Sequence, residues 1–274
     1  MRRGQRWLWW LPAVLLLALG EVTGAMAEEV RVVYVGPAEG SVWRGVALGQ
    51  HEANILGQFT GQTYAVQQMR PEELLGKELA TPPAVVLAAT DAETLPKLSA
   101  AFASVGVAVF NLARDDDSLR QACLPNLLHT PPSARMKADA VAQWQKKHAG
   151  AAVEAWAWHP DFVKYAARDL NKRFRELFNV PMDNDAWAGW AALKMVSEAI
   201  ARTQTTESAR ILAYLRQDME FDGQKGVSHT FRDTGQLRQP LLIVQDGKLV
   251  GEAPVRGVAD IADLDSLGME SCRR

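Results

Sequence analysis

The sequence predicts an α/β fold built on a parallel sheet. Three observations carry that expectation. Short apolar runs alternate with helix-period segments, residues 84–88 are apolar throughout, and glycine or proline breakers separate several of these segments. A strand buried on both faces reads as a continuous apolar run, and strand–helix repetition implies right-handed crossovers. Ligands on such sheets bind beyond the carboxyl ends of the strands.

Residues 30–35 (Val-Arg-Val-Val-Tyr-Val) form the first strand, closed by Gly36-Pro37. From Ser41 the period changes, with Val42, Val46, Ala53 and Leu56 recurring at helical spacing. Gly57 and Gly61 frame a turn into a short strand over 63–68, and 72–79 reads as a helix. Pro82-Pro83 introduces the strand 84–88, followed by a helix over 91–104 and, after Gly106, a strand over 107–110. The carboxyl ends of these strands are thus 36–43, 89–92 and 111–115. Ser133 can cap a helix running to His148, residues 151–158 read as a strand, and 161–178 as a strongly amphipathic helix. Asp183-Asn184-Asp185 precedes a long helix over 186–202, and another spans 207–218. Strands return at 227–231, 241–245 and 248–250, the last two joined by an Asp246-Gly247 hairpin turn.

Residues 1–27 read as a cleavable signal peptide. Arg2, Arg3 and Arg6 precede an apolar run over 7–19, and Ala25-Met26-Ala27 supplies the small-x-small cleavage pattern, so the mature chain begins at Glu28. The run is 13 residues long, short of the ~20 needed to span hydrocarbon, so no stable membrane insertion is expected. Cleavage removes three arginines and Glu21, taking the formal charge from −2 to −4 over 247 residues. That balance excludes nucleic-acid binding by electrostatics, which needs an excess of Lys and Arg. Cys123 and Cys272 form an isolated pair. In an oxidising compartment they read as one disulfide, with two unrelated buried thiols as the alternative.

The stretch Arg44-Gly45-Val46-Ala47-Leu48-Gly49-Gln50-His51-Glu52-Ala53-Asn54 resembles the first helix of type I periplasmic solute-binding proteins, the branched-chain amino-acid binders of ABC importers. Three further stretches agree in order: Cys123-Leu124-Pro125-Asn126 with Met136-Lys137-Ala138-Asp139, Asp185-Ala186-Trp187-Ala188, and Phe221-Asp222-Gly223-Gln224 with Gly235-Gln236-Leu237. The tail Asp263-Leu264-Asp265-Ser266-Leu267-Gly268 is similar to a subgroup associated with pyrroloquinoline-quinone-dependent alcohol oxidation. The resemblance implies a type I periplasmic-binding fold with a Rossmann-like first lobe over 28–112 and 181–235. A second lobe over 113–180 and 236–274 looks cut down, since only residues 149–181 fill the space of several strand–helix units.

In the resembled family two loops of the first lobe hold the ligand. The matching positions are Ala89-Thr90-Asp91 and Asn111-Leu112-Ala113-Arg114, with Ser41 and Trp43 where that family places a polar contact and an aromatic wall. The candidate ligand residues are therefore Ser41, Trp43, Thr90, Asp91, Asn111, Ala113 and Arg114. Their chemistry suits the role: hydroxyl and amide groups donate and accept, and Arg114 can clamp a carboxylate. Thr90 and Asn111 serve equally well as caps of the following helices.

No catalytic constellation is visible. The five histidines are scattered, and no G-x-S-x-G or G-x-x-x-x-G-K-[ST] motif occurs. Asp183-Asn184-Asp185 lacks the glycine and terminal glutamate of a calcium loop and reads as a helix cap, so neither metal nor cofactor is expected. Trp187 and Trp190 share a helix face and read as core, Trp156 and Trp158 share a strand face, and a reduced second lobe exposes some rings to protein partners.

Two functions are expected. The first is a periplasmic solute-binding component of an ABC importer, not an enzyme, taking an amino-acid-like molecule or a carboxylate and meeting an ABC permease. The alternative is a non-transporting accessory protein that meets components of a periplasmic dehydrogenase system and keeps the fold without closing on a ligand.

Overall fold

The computed structural model describes residues 28–76, 80–269 and 271–272. The expected signal peptide and the end of the helix expected over 72–79 lie outside the described residues.

In chain order the elements are β1 (Glu28–Val35), α1 (Ser41–Thr60), β2 (Gln62–Met69), α2 (Pro71–Gly76), β3 (Val85–Ala88), α3 (Thr94–Ala103), β4 (Ala108–Asn111), α4 (Asp117–Gln121) and β5 (Leu127–His129). Then follow α5 (Ala134–Gln145), β6 (Glu154–Trp156), α6 (Ala167–Phe178), α7 (Asn184–Thr203), α8 (Ser208–Gln217), β7 (Leu241–Gln245) and β8 (Lys248–Ala253).

The first five strands form one parallel sheet in the order β2-β1-β3-β4-β5. Strand alternation divides its side chains between two layers. Val30, Val32, Tyr34, Val85, Leu87, Ala108, Phe110 and Leu128 face α1, α7 and α8, while Val33, Val35, Val86, Ala88, Val107, Val109 and Leu127 face α2, α3 and α4. These strands are apolar on both faces because both faces are covered, which is the physical content of the runs seen in the sequence.

Helices α1 and α7 lie backbone against backbone. A Cβ on Gly45 would stand 1.9 Å from the Ala186 carbonyl oxygen, and one on Gly189 would stand 2.4 Å from that of Val42. The motif residues of α1 join neighbouring elements together. Asn54 Oδ1 accepts from the Tyr64 amide at 2.7 Å, and Glu52 accepts from Trp190 Nε1 at 2.9 Å and from Arg173 Nε at 2.8 Å.

The second sheet is antiparallel, in the order β6-β7-β8. Its residues Ala155, Leu241, Ile243 and Ala253 pack with Met136 and Ala140 of α5. Leu242 points the other way and joins the main core, with Trp158, Phe162, Leu170 and Phe174. Residues from both expected lobes thus share one core.

Four sequence expectations differ in detail. The boundary drawn after residue 112 falls between β4 and β5 of one sheet, because three residues are too few for periodicity to reveal a strand. The helix expected from 161 begins at Ala167, after Tyr165 takes a left-handed φ of 52°. The strand expected over 151–158 is limited to β6, so Trp156 and Trp158 do not share a strand face. Residues 227–231 make isolated bridges instead of a ladder.

The C-terminal segment is fastened at several points. Asp265 Oδ1 accepts from Arg232 Nε at 2.9 Å and Arg238 Nε at 2.8 Å, and the Arg232 guanidinium also donates to the Leu264, Leu267 and Gly268 carbonyls. Cys123 and Cys272 are joined by a disulfide with their Cα atoms 5.5 Å apart.

Candidate functional site

A cleft of about 550 Å³ opens where the two sheets meet. Its walls come from the loop after β4 (Ala113, Arg114, Asp115), Pro131-Pro132 beyond β5, the start of α5 (Lys137), β6 (Trp156) and the N-terminus of α7 (Asn184, Asp185). The position lies beyond the carboxyl ends of parallel strands, as open α/β sheets favour.

The loop after β4 owes its shape to Asn111. This fully buried amide accepts from the Ala113 and Arg114 amides at 3.1 and 2.9 Å, and donates to the Arg114 carbonyl at 2.7 Å. Its Nδ2 also lies 3.0 Å from His129 Nδ1. Asn111 therefore supports the wall that Ala113 and Arg114 present. Behind it, buried Arg120 donates to the Arg114, Asp116 and Pro131 carbonyls, tying two walls of the cleft together.

The cleft carries both signs of charge. Arg114 Nε donates to Asp116 at 3.0 Å, and Lys137 Nζ donates to Asp115 at 2.8 Å. Burial raises the Asp115 carboxyl, but the Lys137 hydrogen bond and charge outweigh it and hold the group below its ordinary value. Asp185 behaves oppositely. Desolvation and then the neighbouring Asp183 charge push it up, against Lys137. It has no hydrogen bond or ion pair among the described residues. Trp156 is held by an indole bond to Glu154 at 2.8 Å and supplies a flat wall.

Of the seven sequence candidates, Ala113 and Arg114 line the cleft. Ser41 stands at the head of α1, donating to Asp183 Oδ2 at 2.6 Å, while Asp183 Oδ1 caps α7 by accepting from Ala186 at 2.9 Å. Trp43 packs on Tyr34 with ring centroids 5.1 Å apart, and burial raises the Tyr34 hydroxyl to about 12. Asp91 accepts from the Glu93 and Thr94 amides at 2.9 and 2.8 Å, ordering the turn into α3, and Thr90 donates to Asp91 at 3.3 Å. Sequence reasoning missed Lys137, Trp156 and Asp185 as cleft residues. Asp185 was visible only as part of a capping motif, and nothing local in the sequence brings it to residue 114.

No protein-family model and no curated protein matches the sequence. Solved structures do match. An ABC transporter substrate-binding protein from Desulfitobacterium hafniense, in complex with Leu, has a TM-score of 0.67 at 13% identity, covering 81% of this chain and 99% of that one. A leucine-binding protein from Thermotoga maritima gives 0.67 at 9% identity, covering 81% and 98%. A solute-binding protein from Rhodopseudomonas palustris, in complex with 3,4-dihydroxybenzoic acid, gives 0.67 at 9% identity, covering 82% and 97%. Identity at this level speaks for architecture alone. The chain has the α/β fold of type I periplasmic binding proteins.

Proposed function

We propose that the chain is a periplasmic solute-binding protein of an ABC-type importer that takes a small organic molecule into the cleft between its two sheets. The observation that carries this reading is the cleft itself, whose lining brings together Arg114, Lys137, Asp185 and the Trp156 ring. Such a set fits a molecule with a carboxylate, an amino group and a flat or apolar body. Ser41, Trp43, Thr90 and Asp91, on the segments that follow β1 and β3, are proposed as further ligand contacts, while Asn111 holds the loop. The neighbours that bind leucine and 3,4-dihydroxybenzoic acid support the same ligand classes. The partner is an ABC permease. A link to pyrroloquinoline-quinone-dependent alcohol oxidation rests on the tail motif at 263–268.

A thermal-shift panel of amino acids, benzoates, short alcohols and aldehydes on the oxidised chain from Glu28 tests it. A ligand at 100 times its Kd adds ~2.7 kcal/mol, a rise of several degrees at this size. Arg114→Ala and Trp156→Ala are each expected to weaken the hit about tenfold, the loss of one good contact. Unchanged affinity in both variants removes the site assignment. Uniform silence favours a second reading, the accessory protein without ligand closure. That reading draws on the apolar strip of Ile55, Phe59 and Leu177, which are 48%, 83% and 49% exposed.

A further inference from the structure

We propose that a second cleft, walled by the end of α5, the loop ahead of α6 and the outer edge of β8, binds a small organic oxyanion on a flat apolar body. The cleft holds about 390 Å³ and shares no lining residue with the first.

Lys225 is the central observation. It lines this cleft, is 2% exposed, and has no carboxylate partner among the described residues. Its Nζ donates to Gln239 Oε1 at 2.8 Å and the Pro240 carbonyl at 3.3 Å, and sits 3.9 Å from the Trp187 ring centroid. A buried ammonium solvated only by neutral dipoles is costly, and a bound anion is the natural compensation. Burial drives this lysine well below its ordinary value, a shift that a bound anion would oppose.

The rim repeats the bias. Lys147, Lys164 and Arg256 surround the opening, and Glu252, the acid among the lining residues, is taken up by Lys164. Lys147 Nζ donates to the Arg256 backbone carbonyl, and the Arg256 guanidinium has no ion pair among the described residues. Lys147 and Arg256 thus stand without an acid partner among the described residues, in a chain whose formal charge is −2. A guanidinium at the rim matches the two oxygens of a carboxylate or phosphate.

The walls are aromatic. Trp144 stacks on His148 at 4.1 Å between centroids, and its buried Nε1–H has no partner among the described residues. Tyr165, at a left-handed φ of 52°, lays its ring so closely on Gly226 that a Cβ there would meet it at 2.3 Å. A non-glycine residue held at positive φ to present a ring is strain of the kind that gathers at binding sites.

Indole-labelled protein gives a local readout, with the Trp144 Nε1–H signal assigned by Trp144→Phe and the Trp156 signal reporting the first cleft. Benzoate, phenyl phosphate and inorganic phosphate are titrated against chloride at matched ionic strength. Saturable movement of Trp144 with benzoate identifies a carboxylate site, and movement with phenyl phosphate a phosphate-ester site. Either is expected to weaken about tenfold in Arg256→Ala and in Lys225→Met, and to be unchanged in Arg114→Ala. Arg256 is exposed, so its variant keeps the test open if Lys225→Met does not fold. The proposal is overturned if neither organic anion moves Trp144, or if Arg256→Ala binds them as tightly as the parent. Movement or silence of Trp156 bears only on the first cleft, so the two readings fail separately.

Discussion

Gly45→Ala probes the joint that sets the first cleft. An alanine Cβ would stand 1.9 Å from the Ala186 carbonyl oxygen, against ordinary contact at 3.4 Å or more, so α1 and α7 must part by about 1.5 Å. The obstacle is backbone and cannot swing aside. Overpacking of this kind costs about 3 kcal/mol, the upper end of the usual range. In a domain of this size that lowers Tm by roughly 6–12 °C. The same separation pulls Ser41 from Asp183, now 2.6 Å apart, and shifts the α7 N-terminus that carries Asp185 into the cleft. Differential scanning calorimetry measures the first effect, and ligand affinity the second. Gly76→Ala, with nothing among the described residues within 4 Å of the added carbon, is the control. Equal Tm values for the two variants would refute the close-contact account of α1 and α7.

His229 is buried and its value is lowered from 6.5 to about 3, first by desolvation and then by Lys225. Between those values the unfolded chain binds the extra proton, so stability is complete above about pH 6.5 and falls as pH drops toward 3. His229→Gln is expected to flatten the pH dependence of urea stability in that window by up to ~1.4 kcal/mol per pH unit. An unchanged slope would place the acid sensitivity elsewhere. Cys272→Ser removes a cross-link spanning 149 residues and is expected to cost up to ~4–5 kcal/mol, and reduction of the parent should reproduce the loss in a calorimeter. Asp265→Asn leaves the 4% exposed Arg232 without its carboxylate. A loss of roughly 1–3 kcal/mol is expected, read as a lower urea midpoint at constant slope.

The parallel sheet was legible because its strands are buried on both faces, and burial leaves apolar runs such as Val85–Ala88. Helices were legible where one face is apolar, as in α7 with Trp187 and Trp190 in the core. Strand β5 was not, since Leu127–His129 carries no measurable period. The cleft was half legible. The loop after β4 was found because position after a strand is a local property. Asp185 and Trp156 were missed because their meeting with Arg114 is a property of packing between distant segments. The hydroxyl and carboxyl of Thr90 and Asp91 illustrate the opposite difficulty. The same groups that can hold a ligand also order the turn ahead of a helix, and here Asp91 bonds the backbone at 93 and 94.

The tether between Cys123 and Cys272 also has a meaning in time. A chain delivered N-terminus first to an oxidising compartment presents Cys123 149 residues ahead of its partner, an interval of roughly 7–30 s when delivery keeps pace with synthesis at ~5–20 residues per second. Through that interval the thiol is open to any oxidant or foreign cysteine. The second sheet offers no shelter either, because β6 must wait for β7 to arrive. The β1–β5 sheet waits as well, since α7 and α8 cover one of its faces, and the clasp comes last. Wrong intermolecular disulfides through Cys123 are therefore an expected failure of overproduction.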